Sequence, residues 1–150
     1  MDAATVAETL RQIIEGEDFS PPERMLKLSA RRACFKPEYF PYSLATNVWH
    51  CDYWNRLWLA RLTGEGKLPE NIWAEDWQIP PESEWDETRT RFVANLHRAR
   101  EIAQAIPFKH ALKSDQDAIR RLHQIAVHTA YHIGQIALLK RMLAREFAKR

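Results

Sequence analysis

The sequence predicts an all-α protein: one four-helix bundle over residues 1–150, with a long crossover between its second and third main helices. Three observations predict it. The chain has only four glycines and no run of alternating apolar and polar residues such as a half-buried strand requires. Four segments repeat apolar residues at helical spacing, with cap or stop residues at their ends. Between the second and third of these lies a proline- and tryptophan-rich stretch, residues 64–81, too aromatic for a loose linker.

The first helix is expected over residues 3–15, with Val6, Leu10, Ile13 and Ile14 on one stripe and Gly16 at its end. Ser20 then reads as an N-cap followed by prolines in the first turn, opening a short helix or turn that uses Met25, Leu26, Leu28 and Ala33. Residues 36–41 form a connector. Ser43 caps the second main helix, which runs to about Leu62 and stops at Gly64 and Gly66. Leu44, Val48, Cys51, Trp58 and Leu62 mark its apolar stripe, with His50, Trp54 and Leu57 on the adjacent one. The crossover, carrying Trp73 and Trp77, is expected to pack across the bundle. Ser83 with Asp86 resembles a capping box for the third helix, which buries Trp85, Thr88, Phe92, Leu96, Ala99 and Ala103 and ends before Pro107. Ser114 with Asp117 repeats the signal. The last helix runs from about Asp115 to Phe147, with Ile119, Leu122, Ile125, Val127, Ile136, Leu139 and Leu143 as its buried side.

A net charge of +2 gives no reason to expect nucleic acid or an anionic membrane as partner. Charge is uneven, with eight acids against Lys67 over residues 65–87 and five basic residues against Glu146 from Lys140 onward. Both patches read as solvated faces. Cys34 and Cys51 lack CxxC spacing, so no disulfide framework or zinc ribbon is encoded, and both read as inert buried thiols. No apolar run approaches the ~20 residues of a membrane span, and MDAATVAETL is no signal peptide, so the cytoplasm is the expected compartment.

Residues 128–136, HTAYHIGQI, carry the chemistry. His128 and His132, four apart on a helix, lie ~40° apart around it and ~6 Å apart along it, so both imidazoles can reach one ion. Thr129 stands where the zinc-protease HExxH motif has its glutamate, so that enzyme's general base is missing. The stripe holding the pair is otherwise apolar, and His50 sits mid-helix among Trp49, Trp54 and Leu57. Buried imidazoles need partners. A shared cation would satisfy all three and leave open coordination positions; backbone and hydroxyl groups are the other way to satisfy them. His97, His110 and His123 read as surface residues.

The stretches PYSLATNVWH (41–50) and HTAYHIGQIALLKRML (128–143), in this order around a long crossover, resemble the DinB/YfiT-like family of metal-binding four-helix bundles. The likeness extends over essentially the whole chain. It implies a divalent ion, zinc or nickel, held by His50, His128 and His132 at one end of a pocket. It further implies a small-molecule substrate, a low-molecular-weight thiol as partner in some relatives, and pairing as a homodimer.

The expected function is therefore a metal-dependent enzyme, a thiol-dependent S-transferase or a hydrolase of a small electrophile. The cation would ease the loss of a proton from a thiol or water, and the resulting anion would attack a substrate in a pocket lined by Trp49, Trp54 or Tyr131. Gln135 is the residue expected to orient a ligand from behind, or to cap the inner cluster. Gly134 reads as room for a close helix approach, at a propensity cost of ~1 kcal/mol. The alternatives are a metal-binding stress or regulatory bundle without turnover, and a purely structural bundle.

Overall fold

The computed structural model describes residues 2–148. Among them the regular elements are helical: α1 (Ala3–Glu15), α2 (Pro22–Met25), α3 (Ala30–Cys34), α4 (Leu44–Thr63), a 3₁₀ turn (Glu82–Glu84), α5 (Trp85–Gln104) and α6 (Asp115–Ala148). The four long helices form the bundle. α1 and α4 sit diagonally, each packed against both α5 and α6. None of the described helices is long and apolar enough to cross a membrane. Of the basic residues from Lys140 onward, Lys149 and Arg150 lie outside the described residues.

Local signals set most boundaries. Asp2 Oδ1 accepts the Thr5 N–H at 2.8 Å and caps α1. α1 ends at Gly16, whose φ of 70° puts any Cβ 2.3 Å from the Phe19 carbonyl oxygen, so only glycine fits. Ser43 Oγ accepts the Thr46 N–H at 3.1 Å at the start of α4, and Ser114 Oγ accepts that of Asp117 at 3.1 Å at the start of α6. Two expected caps are absent. α2 follows Pro21 with no side-chain cap; Pro22 in its first turn removes one of the unpaired N–H groups and pre-sets the helical φ. α5 grows out of the 3₁₀ turn, with Glu84 rather than Ser83 at the N-cap position and no side-chain bond.

The core joins Val6 and Leu10 of α1, Leu44, Val48 and Leu62 of α4, Trp85, Phe92 and Leu96 of α5, and Leu122, Ile125, Ile136 and Leu139 of α6. α4 is buried almost all round, so its polar side chains must find partners inside. Asp52, which showed no pairing in sequence, is fully buried and accepts from Arg91 Nε at 2.8 Å, Arg56 Nε at 3.1 Å and Asn95 Nδ2 at 2.8 Å, tying α4 to α5.

α6 corrects one core assignment. Val127 is 55% exposed, and Thr129 and His132 take the buried positions of that stripe. Gly134 is exposed, with nothing within 4 Å of a Cβ built on it, so it marks no close helix approach. The crossover does lie along α4: the Ile72 carbonyl accepts from Tyr53 Oη at 2.8 Å, and the Glu75 carbonyl from Trp49 Nε1 at 3.3 Å. Those two bonds bring residues 75–77 over the first half of α4, where His50 stands.

Candidate metal centre

His50 on α4 and His128 and His132 on α6 meet between the two helices. His128 Nε2 lies 3.3 Å from His50 Nε2 and 3.1 Å from His132 Nε2, and one ligand atom from each falls within 4.8 Å of the others. His50 and His132 are buried, 7% and 2% exposed, and His128 is half-buried.

What makes the cluster chemically pointed is the opposite edge of each ring. His50 Nδ1 bonds the Asp76 carboxylate, which can only accept. His132 Nδ1 faces Asn47 Oδ1 at 3.3 Å, and Asn47 spends its Nδ2 donor on Gln135 Oε1 at 2.8 Å. His128 Nδ1 lies 3.8 Å from Cys51 Sγ, whose own proton points to Thr129 Oγ1 at 3.9 Å. A neutral imidazole carries one N–H: Asp76 draws the His50 proton to Nδ1 and Asn47 Oδ1 does the same for His132, whereas the Cys51 thiol can pair with either tautomer of His128. With the His50 and His132 protons on Nδ1, their two Nε2 lone pairs face His128 Nε2, which can meet one of them with a proton or share a cation with both.

Burial reinforces this state. It pushes His128 down to about 3, helped by the neighbouring His132 and His50, and His132 down to about 4, helped by His50. His50 is lowered by the same desolvation, partly opposed by Asp76. All three rings are uncharged near neutrality, the form that ligates metals.

The two distances from His128 fit a divalent ion. Ligand nitrogens ~2.0–2.1 Å from a tetrahedral ion stand about 3.3 Å apart, and from an octahedral one about 2.9 Å. The 3.1 and 3.3 Å from His128 Nε2 to its two neighbours fall within that range, and the three ligand atoms together lie within 4.8 Å of one another. The ring orienters, Asp76 above all, match the carboxylate–histidine pairing that steers a ligand's free nitrogen.

Aromatic rings wall the cluster. Trp77 stacks on His50 at 3.8 Å between centroids and 17° between planes, and leans on Tyr42 at 4.8 Å. Trp58 meets His128 edge-on at 5.1 Å, and Tyr131 meets His132 likewise at 5.1 Å. Trp77 adopts φ 55°, the one positive value at a non-glycine among the described residues. Its N–H bonds Asp76 Oδ1 at 3.0 Å, so this strained turn delivers the carboxylate and the indole to His50 together.

Of the residues expected to line a pocket, Tyr131 stands at the cluster. Trp54 stands one ring away, 5.6 Å from Trp58. Trp49 points elsewhere, between Arg56 and Arg91. Gln135 bonds Asn47 at 2.8 Å and also interacts directly with His132, opposing the lowering of its pKa. Cys51, rotated off the His50 face, packs behind His128 instead; burial pushes its thiol far above the ordinary range, so it serves as a neutral partner and not a nucleophile. His110 is no surface residue: its ring is largely covered, bonding Asp115 at 2.9 Å.

Sequence reasoning missed Asp76, Trp77, Asn47 and the role of Trp58. A buried ligand histidine calls for an acceptor on its second nitrogen, which was a usable signal, but sequence could not choose among the eight acids of residues 65–87. A family model described as the DinB superfamily matches residues 22–136, a span holding all three histidines and Asp76, and the chain belongs to that superfamily. No curated protein and no solved structure matches.

Proposed function

We propose, on the premise that the chain is a DinB-superfamily bundle, that His50, His128 and His132 bind one divalent ion, zinc or nickel, in an enzyme acting on a small electrophile. Three Nε2 atoms converging, that of His128 lying 3.1 and 3.3 Å from its two neighbours, with Asp76 and Asn47 accepting at Nδ1 of His50 and His132, is the observation that supports it. Bound there, the ion would supply Lewis acidity, easing deprotonation of a thiol or water.

The chain's own residues do the rest. Asp76 and Asn47 hold the His50 and His132 rings in the ligating tautomer, Cys51 packs behind His128, and Gln135 bonds Asn47. Trp77 covers the His50 side and keeps bulk water from it. Tyr131, an exposed phenol beside His132, is placed to hydrogen-bond a substrate oxygen.

The test is turnover. Metal-loaded protein is offered a model electrophile with glutathione, coenzyme A, bacillithiol or mycothiol, and with water alone. Consumption of the electrophile that is abolished by chelation and by His128→Ala supports the proposal. A loaded protein inert with every nucleophile leaves a metal-binding bundle without catalysis.

A further inference from the structure

The half-buried ligand shows where the site opens. His50 and His132 are covered, whereas His128 also forms the wall of a surface groove of about 490 Å³ lined by Trp58, His123, Gln124, Val127 and Tyr131. No Lys, Arg, Asp or Glu side chain lines it. Two of its residues are exposed, Val127 by 55% and Tyr131 by 64%. Trp58 meets His128 edge-on at 5.1 Å, so the groove floor and the cluster share a ring contact. The two other cavities along α4 differ in character. One, about 540 Å³ between α4 and the crossover, carries Arg56, Lys67, Glu70 and Glu75; the other, about 320 Å³, lies on Tyr42 and the ring of Trp77 and includes Lys36.

We infer that this groove selects the substrate: the electrophile is an uncharged molecule whose apolar, preferably flat, portion lies on Trp58, Val127 and Tyr131 while its reactive end points at the histidines. The inference rests on the metal-site proposal and deepens it. A charged group would find no side chain of opposite charge to pair with in the groove, whereas an aromatic ring gains both area burial and edge contacts with Trp58 and Tyr131. The volume is ample for one substituted ring.

Binding of two hydroxamic acids to the cobalt-loaded protein, followed by the cobalt absorption spectrum, tests this without turnover. Acetohydroxamic acid supplies a metal-binding head alone; benzhydroxamic acid adds a phenyl ring. The expected result is a preference of about tenfold or more for the phenyl compound. Val127→Gln and Tyr131→Gln, both at exposed helix positions, should each shrink that ratio several-fold. Equal affinities in the wild type, or a preference untouched by both substitutions, overturn the inference while leaving the metal site standing. So does a sedimentation result in which the groove proves to be covered by a second copy that Val127→Gln releases. Failure to take up cobalt at all defeats the metal-site proposal itself, and the groove's role with it.

Discussion

The Asp76 carboxylate does for His50 what Asn47 does for His132: it keeps the ring proton on Nδ1 and so leaves Nε2 bare. Replacing it by the near-isosteric amide tests that role. Asp76→Asn should fold normally and weaken zinc affinity about 10–100-fold, measured by competition with a chromogenic chelator; undiminished affinity would show that the carboxylate does not position the ligand. The same rings make a pH prediction for the metal-free protein. His128 and His132 hold values of about 3 and about 4 in the fold, against an ordinary 6.5. Between those values the unfolded chain binds protons that the folded chain refuses, so their contribution is intact above pH 6.5 and is lost as pH falls toward 4. Urea midpoints from pH 7.5 to 4.5 should fall more steeply in the wild type than in the His128→Ala/His132→Ala double variant; parallel curves would contradict it. At this scale sequence showed the three histidines, whose spacing is local, but not Asp76 or Trp77. These two reach the site through a strained turn in an aperiodic segment, and no periodicity marks such a turn.

Among the elements, α4 carries the greatest burden, holding His50 toward α6 and the Asp52 network toward α5. Its start depends on Ser43, whose Oγ accepts the Thr46 N–H at 3.1 Å and contacts Thr46 Oγ1 at 3.0 Å. Ser43→Ala should cost about 1 kcal/mol of unfolding free energy in urea titration, with no change in metal stoichiometry. A loss under ~0.3 kcal/mol would mean that the buried hydroxyl adds little as a cap. Helix boundaries were legible where a side chain caps or a glycine stops the chain: Ser43, Ser114, Gly16 and Gly64. They were misread at Ser20 and Ser83, where proline geometry and a 3₁₀ turn open the helix without a cap. On α6 hydrophobicity itself misled. Val127 is apolar yet faces solvent, because the inner positions are filled by Thr129 and His132 for what lies opposite them on α4.

For the molecule as a whole, the histidine cluster joins α4 to α6 at the point where the crossover returns over the bundle. The all-helical fold and its long crossover were legible from four periodic segments. The path of that crossover was not, since it is set by tertiary bonds from Tyr53 and Trp49 to its backbone. An ion held by three ligands from two helices would bind the native state more tightly than the unfolded chain, so loading would raise stability. Metal stoichiometry is the most direct measurement. Protein made without a histidine tag, stripped with chelator and dialysed against zinc or nickel, is analysed for bound metal, and its thermal unfolding is followed in parallel. One ion per chain in the wild type with a higher unfolding temperature, and neither in His50→Ala or His128→Ala, is the predicted outcome. A wild-type protein that takes up no stoichiometric ion, or variants that take up as much as the wild type, would contradict it.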